Sequence, residues 1–164
     1  MHQLSDTAGI VLRTLDGSDW GAVRRHLLRL ATRERQERFG HLAGDDSLRD
    51  YCDHLERSDA VLVGAYADGE IRGLAELVLL DGQPAAAAEL AVSVHRSYQS
   101  RGIGTAIIAR ALTLARERGI HLVSMKCRWG NRRMRRLAKA LGARVSVRDG
   151  EVDGVLRLQW PTAP

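Results

Sequence analysis

The sequence predicts a mixed α/β domain with the element order β-α-α-β-β-β-α-β-α-β-β, and three observations carry that reading. Apolar residues recur with period two in some segments and with period 3.6 in others, and the two kinds alternate along the chain. Asp68-Gly69 separates two strand-like runs, where glycine supplies the positive φ of a hairpin turn. A glycine-bearing turn, YQSRGIGT from Tyr98 to Thr105, leads from a strand into a long helix. A strand–helix–strand crossover makes its two strands parallel and right-handed. The expected sheet is therefore mixed and mostly antiparallel, with one central parallel β-α-β unit.

Each element follows from local pattern. IVLRTL, Ile10 to Leu15, alternates as a strand. Ser18 or Asp19 can cap the helix that follows, in which Trp20, Val23, Leu27, Leu28 and Leu30 recur at helical spacing through about Ala31. The stretch RERQERFGHLAGDD has no apolar periodicity and reads as a polar connection. Ser47 can cap a second helix, with Leu48, Tyr51, Cys52 and Leu55 on one face. AVLVGAYA (Ala60 to Ala67) and IRGLAELVLL (Ile71 to Leu80) are the hairpin strands, and AAAAELAVSV (Ala85 to Val94) ends as a buried strand despite its alanines. Gly102 to Arg118 is a helix stopped by Gly119. LVSMKC is a strand. Asn131 to Leu141 is a helix closed by Gly142. ARVSVR and GVLRLQW flank the Asp149-Gly150 turn, and Pro161 ends the fold.

Bulk properties narrow the function classes. A chain of 164 residues with 45% apolar content fits one globular domain, with a core from about 10 to 160. No run reaches the ~18 apolar residues of a membrane span, and no basic segment leads into an apolar one as in a signal peptide. These readings point to a cytoplasmic protein whose Cys52 and Cys127 stay reduced. No CxxC, HExxH or histidine spacing suggests a metal site. The net charge of +5 is segregated: from His95 to Lys139 there are 12 Arg or Lys and one acid, Glu117. A multiply phosphorylated small ligand satisfies that pattern as well as nucleic acid does, and no nucleic-acid motif accompanies it.

The glycine turn suits a diphosphate. The first turn of a helix offers unpaired N–H groups at the positive end of its dipole, and glycine there removes the Cβ that would keep an anion away. Arg96 and Arg101 add charge. No GxxxxGK[ST] is present, so this is no nucleoside-triphosphate loop. Ile107 occupies the third position of a GxGxxG pattern, which disfavours a nicotinamide dinucleotide.

Gln99, Gly102 and Gly104 match the Arg/Gln-x-x-Gly-x-Gly/Ala signature of the GCN5-related N-acetyltransferase (GNAT) superfamily, which the order of elements also resembles from about Ile10 to Trp160. GNRRMRRLAKALGA resembles the superfamily's second signature through Asn131 and Leu141-Gly142, with Ala143 where an aromatic is usual. RQERFGHL and AELAVSVHRSYQSRGIG further resemble the catalytic domain of bacterial protein lysine acetyltransferases, which modify acyl-CoA synthetases. The resemblance implies the GNAT fold, acetyl-CoA as co-substrate, and direct transfer of the acetyl group to a primary amine. It places the cradle at Gln99, Ser100, Arg101, Gly102, Ile103, Gly104 and Thr105. It gives the pantetheine arm and the oxyanion to backbone groups of Val92, Ser93 and Val94, on a strand that splays from its neighbour, and assigns Asn131 to CoA. A glutamate at the position of Glu89 is the general base of the resembling enzymes. The residues agree: a carboxylate between Ala88 and Leu90 is costly to bury without a role, and burial raises its pKa toward usefulness.

Histidine is a common general base, but His95 follows the strand directly and reads as loop, and Glu76 is a further candidate for the acceptor side. Superfamily members often carry a tyrosine general acid in the last helix; Met134 to Gly142 holds none, so the thiolate departs unaided. The cluster Arg132, Arg133, Arg135 and Arg136 reads as a solvated face or as a contact to the CoA 3′-phosphate. Asp45, Asp46, Asp50, Asp53, Glu56 and Asp59 form an acidic stretch that suits a cationic acceptor or plain solvent. The acceptor stays open between a protein lysine and a small-molecule amine, the oligomeric state between monomer and dimer, and the alternative to an enzyme is a non-catalytic acyl-CoA-binding module of the same fold.

Overall fold

The computed structural model describes residues 9–82 and 86–159. The readings that rest on the N-terminal eight residues, on the start of the fourth strand at Ala85 and on Trp160 and Pro161 lie outside the described residues. Seven strands form one sheet: β1 (Val11–Thr14), β2 (Ala60–Ala67), β3 (Glu70–Leu80), β4 (Ala87–Val94), β5 (Leu122–Arg128), β6 (Arg144–Arg148) and β7 (Glu151–Arg157). Their order across the sheet is β1-β2-β3-β4-β5-β7-β6. Every neighbouring pair is antiparallel except β4 and β5. The helices are α1 (Trp20–Arg29), α2 (Thr32–Phe39), α3 (Asp45–Arg57), α4 (Ile103–Glu117) and α5 (Arg132–Ala140).

Side-chain alternation gives the sheet two covered faces. Ala75 and Leu77 of β3 and Ala88 and Leu90 of β4 pack with Ile103, Ile107, Ile108 and Ala111 of α4, and Ala138 of α5 extends the same cluster. On the other face, Leu62, Ile71 and Leu74 meet Val23 and Leu27 of α1 and Cys52 and Leu55 of α3. Gly73 lets α4 sit close to the sheet: a Cβ there would stand 2.8 Å from Ile103 Cγ2. The odd-numbered residues of β4 near its end therefore point away from α4, toward the α1–α3 side.

The polar connection expected after α1 is in fact α2. It is held by polar bonds instead of an apolar stripe, which is why periodicity does not reveal it. Glu34 is buried; its carboxylate accepts Ala31 N at 2.7 Å, half of a capping box, and Arg96 N at 2.6 Å. Arg35 donates to the carbonyls of Leu28, Leu30 and Ala43. Arg38 donates to Glu76 at 2.8 Å and to the Tyr51 hydroxyl at 2.6 Å, and Tyr51 donates in turn to Glu76. Ser47, expected as a cap, lies inside α3, whose N-cap is Gly44.

Glu76 is fully buried. Burial opposes the charge of Arg38, but Glu76 and Tyr51 offset it and hold the guanidinium above its ordinary pKa. Burial, reinforced by Glu76, pushes the Tyr51 phenol upward. Replacing Arg38 by Met strands a buried carboxylate, which costs about 3–5 kcal/mol. Urea unfolding of Arg38→Met at neutral pH should show a loss of that size, whereas a solvated α2 would show almost none.

His26 of α1 braces the end of β4. Its Nδ1 lies 3.1 Å from the Ile71 carbonyl and its Nε2 2.9 Å from Ser93 Oγ. The carbonyl can only accept, so Nδ1 carries the proton and Ser93 donates to Nε2. Burial lowers the His26 pKa to about 4; nearby His95, Arg72 and Arg29 act in the same direction. Because the folded pKa lies below the unfolded one, the unfolded chain binds the extra proton as pH falls from about 6.5 to about 4. Folding should lose about 3 kcal/mol to this residue across that window, since one unit is about 1.4 kcal/mol. The stability difference between wild type and His26→Gln, measured by urea unfolding at pH 7 and pH 4, should shrink by about that amount at the lower pH.

Candidate functional site

The site begins where two parallel strands part. β4 and β5 pair only over Ala87–Glu89 and Leu122–Ser124. Beyond them β4 stays with β3 as far as Val94, and β5 stays with β7 as far as Arg128. Leu90 to Val94 and Met125 to Arg128 thus face each other across a wedge. Two cavities share it.

The first, of about 240 Å³, is lined by Glu34, Glu37 and Arg38 of α2, by Val92, Ser93 and Val94 of β4, by the turn from Tyr98 to Thr105 except Arg101, by Asn131, and by Arg133, Met134 and Leu137 of α5. Gly102 has φ +78°, a left-handed conformation that glycine adopts without strain, and it starts α4. The first intrahelical bond runs from Ala106 N to Gly102 O at 3.0 Å. The N–H groups of Ile103, Gly104 and Thr105 therefore have no partner within the helix, and no side chain caps them. A Cβ on Gly104 would meet only Val94 Cγ2, at 3.8 Å. Packing does not demand glycine there; open space over unpaired donors suits an anion. The residues present thus fit a diphosphate.

The other predicted cradle residues have identifiable tasks. Gln99 donates to the Val94 carbonyl at 2.9 Å and accepts from Arg133, tying the strand end to α5. Arg101 stands outside the cavity with its guanidinium 5.1 Å over the Tyr98 ring. Asn131 caps α5 by accepting Met134 N at 3.1 Å, and it lines both cavities. His95 accepts Ser97 N in the turn after β4 and lines neither cavity.

The second cavity, of about 230 Å³, holds Glu89 and the β4 residues Leu90 to Val92, with Glu37, Arg38 and Phe39 of α2, Gly40 after it, Lys126, Cys127 and Arg128 of β5, Asn131, Met134 of α5, and Glu151 of β7. Glu89 is half-buried, and its carboxylate makes no hydrogen bond or ion pair with any described residue. Burial pushes the Cys127 thiol up, which leaves it protonated. Glu76 does not line this cavity; it supports Arg38, which lines both. The sequence reading missed Glu37, Arg38, Lys126 and Glu151. The half capping box at Glu34 was the one local signal that α2, and with it Glu37 and Arg38, exists. Among the described residues, no three His, Cys, Asp or Glu side chains could together hold a metal ion, and no helix is long and apolar enough to cross a membrane.

Such a parting of parallel strands, with a glycine-started helix at one end, leaves unpaired backbone donors beside a gap in the sheet, a place suited to an anionic ligand. The acetyltransferase (GNAT) family model matches residues 25–143, more than half of the chain, so this chain belongs to that family and is an acyltransferase. Solved structures share the fold. The GNAT domain of S. lividans PAT superposes with a TM-score of 0.74 at 21% identity, covering 90% of this chain and 89% of its own. The structure of yncA from Salmonella typhimurium with its cofactor acetyl-CoA gives 0.66 at 20% identity, over 94% and 97%. The paia N-acetyltransferase from Thermoplasma acidophilum in complex with coenzyme A gives 0.66 at 15% identity, over 91% and 99%.

The geometry makes Gly104 a clean probe. Gly104→Ala should raise the Kd for acetyl-CoA about tenfold by calorimetry while the melting temperature changes little, since the added Cβ meets only Val94 Cγ2, at 3.8 Å. A large fall in melting temperature with unchanged affinity would place the diphosphate elsewhere.

Proposed function

We propose that this chain moves the acetyl group of acetyl-CoA to a primary amine by direct attack, and that the amine is a protein lysine. The single observation that carries the reading is the shared wedge: uncapped donors of α4 at one end, and an unpartnered half-buried carboxylate, Glu89, on its other side. The diphosphate of acetyl-CoA rests on the N–H groups of Ile103 to Thr105, with Gln99 and Asn131 beside it. The pantetheine arm runs along Val92 to Val94. Glu89 takes the proton of the incoming ammonium, the free amine attacks the thioester carbonyl, and backbone groups of β4 meet the developing oxyanion. The tetrahedral adduct collapses, the C–S bond breaks and CoA leaves as the thiolate, because the segment from Met134 to Gly142 offers no tyrosine to protonate it. The second proton of the attacking nitrogen is lost to solvent, leaving the neutral amide.

The finer reading, lysine, has its own support. RQERFGHL, the stretch that resembles protein lysine acetyltransferases, is the end of α2 and the loop after it. Its Glu37, Arg38, Phe39 and Gly40 line the cavity that holds Glu89. A space of about 230 Å³ takes one extended side chain, and within its lining of three carboxylates and three cations Glu89 is a half-buried carboxylate with no hydrogen bond or ion pair to any described residue, which suits an ammonium group.

Glu89→Gln tests the base. It should lower kcat by about 10²–10⁴-fold, the usual contribution of a positioned general base, with the Kd for acetyl-CoA unchanged. Unchanged turnover would remove Glu89 from the chemistry. A screen of acyl-CoA synthetase proteins and small amines, read by mass spectrometry, should find acetylated lysine; acetylation confined to the small amines would overturn the acceptor.

A further inference from the structure

Helix α5 has two faces, and the cofactor cavity uses one of them. Arg133, Met134 and Leu137 turn toward that cavity, whereas Arg132, Arg135, Arg136 and Lys139 turn to a separate groove of about 600 Å³, floored by Ala143 and Val145. At the end of this groove stands Trp129, 52% exposed. The Arg135 guanidinium lies 3.5 Å from the centroid of the Trp129 ring and donates to the Trp129 carbonyl at 2.9 Å. The stacked guanidinium backs one face of the indole, and the residue stays half exposed beside it. Arg132, Arg136 and Lys139 are exposed and form no ion pair with any described residue. No carboxylate lines the groove.

We propose that this groove binds single-stranded nucleic acid, stacking one base on Trp129 while Arg132, Arg136 and Lys139 hold the phosphates. An aromatic–guanidinium platform beside a row of unpaired cations is the combination that grips a single strand without reading its sequence. An acidic protein surface would satisfy the cations but leave the platform without a purpose. The cofactor does not need this face, because its own cavity has Arg133 and the α4 donors.

The test uses the full chain and a fluorescein-labelled 16-nucleotide RNA of mixed sequence, followed by anisotropy. Saturable binding is expected, with a slope of log K against log salt of about −2 for three neutralised phosphates on a single strand. Trp129→Ala should weaken binding about tenfold through lost stacking, and Arg136→Glu/Lys139→Glu should weaken it further, both with the wild-type melting temperature and affinity for acetyl-CoA. Excess coenzyme A should leave the RNA bound. Four results would each overturn the proposal: absence of saturable binding, displacement by coenzyme A, equal binding by both variants, or tighter binding of poly-glutamate or of the same RNA as a duplex.

Discussion

The site depends on one constraint: β4 cannot stay paired with both of its neighbours. Its antiparallel register with β3 runs its whole length, from Ala87 to Val94, while its parallel register with β5 stops at Glu89. β5 is meanwhile committed to β7 through Arg128. A strand that loses one partner leaves backbone groups with no ladder, and buried groups of that kind require another partner. The wedge is thus a gap in the sheet lined by the part of β4 that has no β5 partner. Both cavities follow from it, as does the placing of the α4 N-terminus beside one of them.

The walls of the wedge are held differently on its two sides. On the α4 side, apolar packing seats the helix, and Gly73 permits the close approach that brings Ile103 down onto the sheet. On the α2 side the hold is polar. Glu34 fastens α2 to the backbone of Arg96, at the start of the turn that leads to the cradle, and Arg38 fastens it to the buried Glu76. One short helix therefore ties the entrance of the first cavity to the wall of the cavity that holds Glu89. Burial gives these bonds their leverage, because a stranded carboxylate or guanidinium cannot turn to water.

Much of this was legible in the sequence, and the remainder was hidden for physical reasons. Period-two and period-3.6 runs separated strands from helices, and the Asp68-Gly69 and Asp149-Gly150 turns marked both hairpins. The parallel pair followed from the glycine turn. Helix α2 was hidden because RERQERF has no apolar stripe; its stability comes from partners at Ala31, Arg96 and Glu76, two of them distant in the chain. Glu76 could be seen as an oddity in an apolar strand, but only its partners show that it supports Arg38 instead of lining the cavity that holds Glu89. Glu151 shares a cavity with Glu89 through sheet order, since β7 inserts between β5 and β6, and Lys126 shares it because β5 lies beside β4. The four arginines at the start of α5 looked alike in sequence. The helix phase separates Arg133 from the others.

The central claim is that the wedge between β4 and β5 holds acetyl-CoA with its thioester facing Glu89. A crystal structure of the chain with acetyl-CoA tests it most directly. The account predicts the diphosphate on the N–H groups of Ile103, Gly104 and Thr105, the pantetheine arm beside Val92 to Val94, and the acetyl carbon at the opening toward Glu89. A diphosphate seated on the Arg132–Arg136 face of α5, or an acetyl group directed away from Glu89, would contradict it.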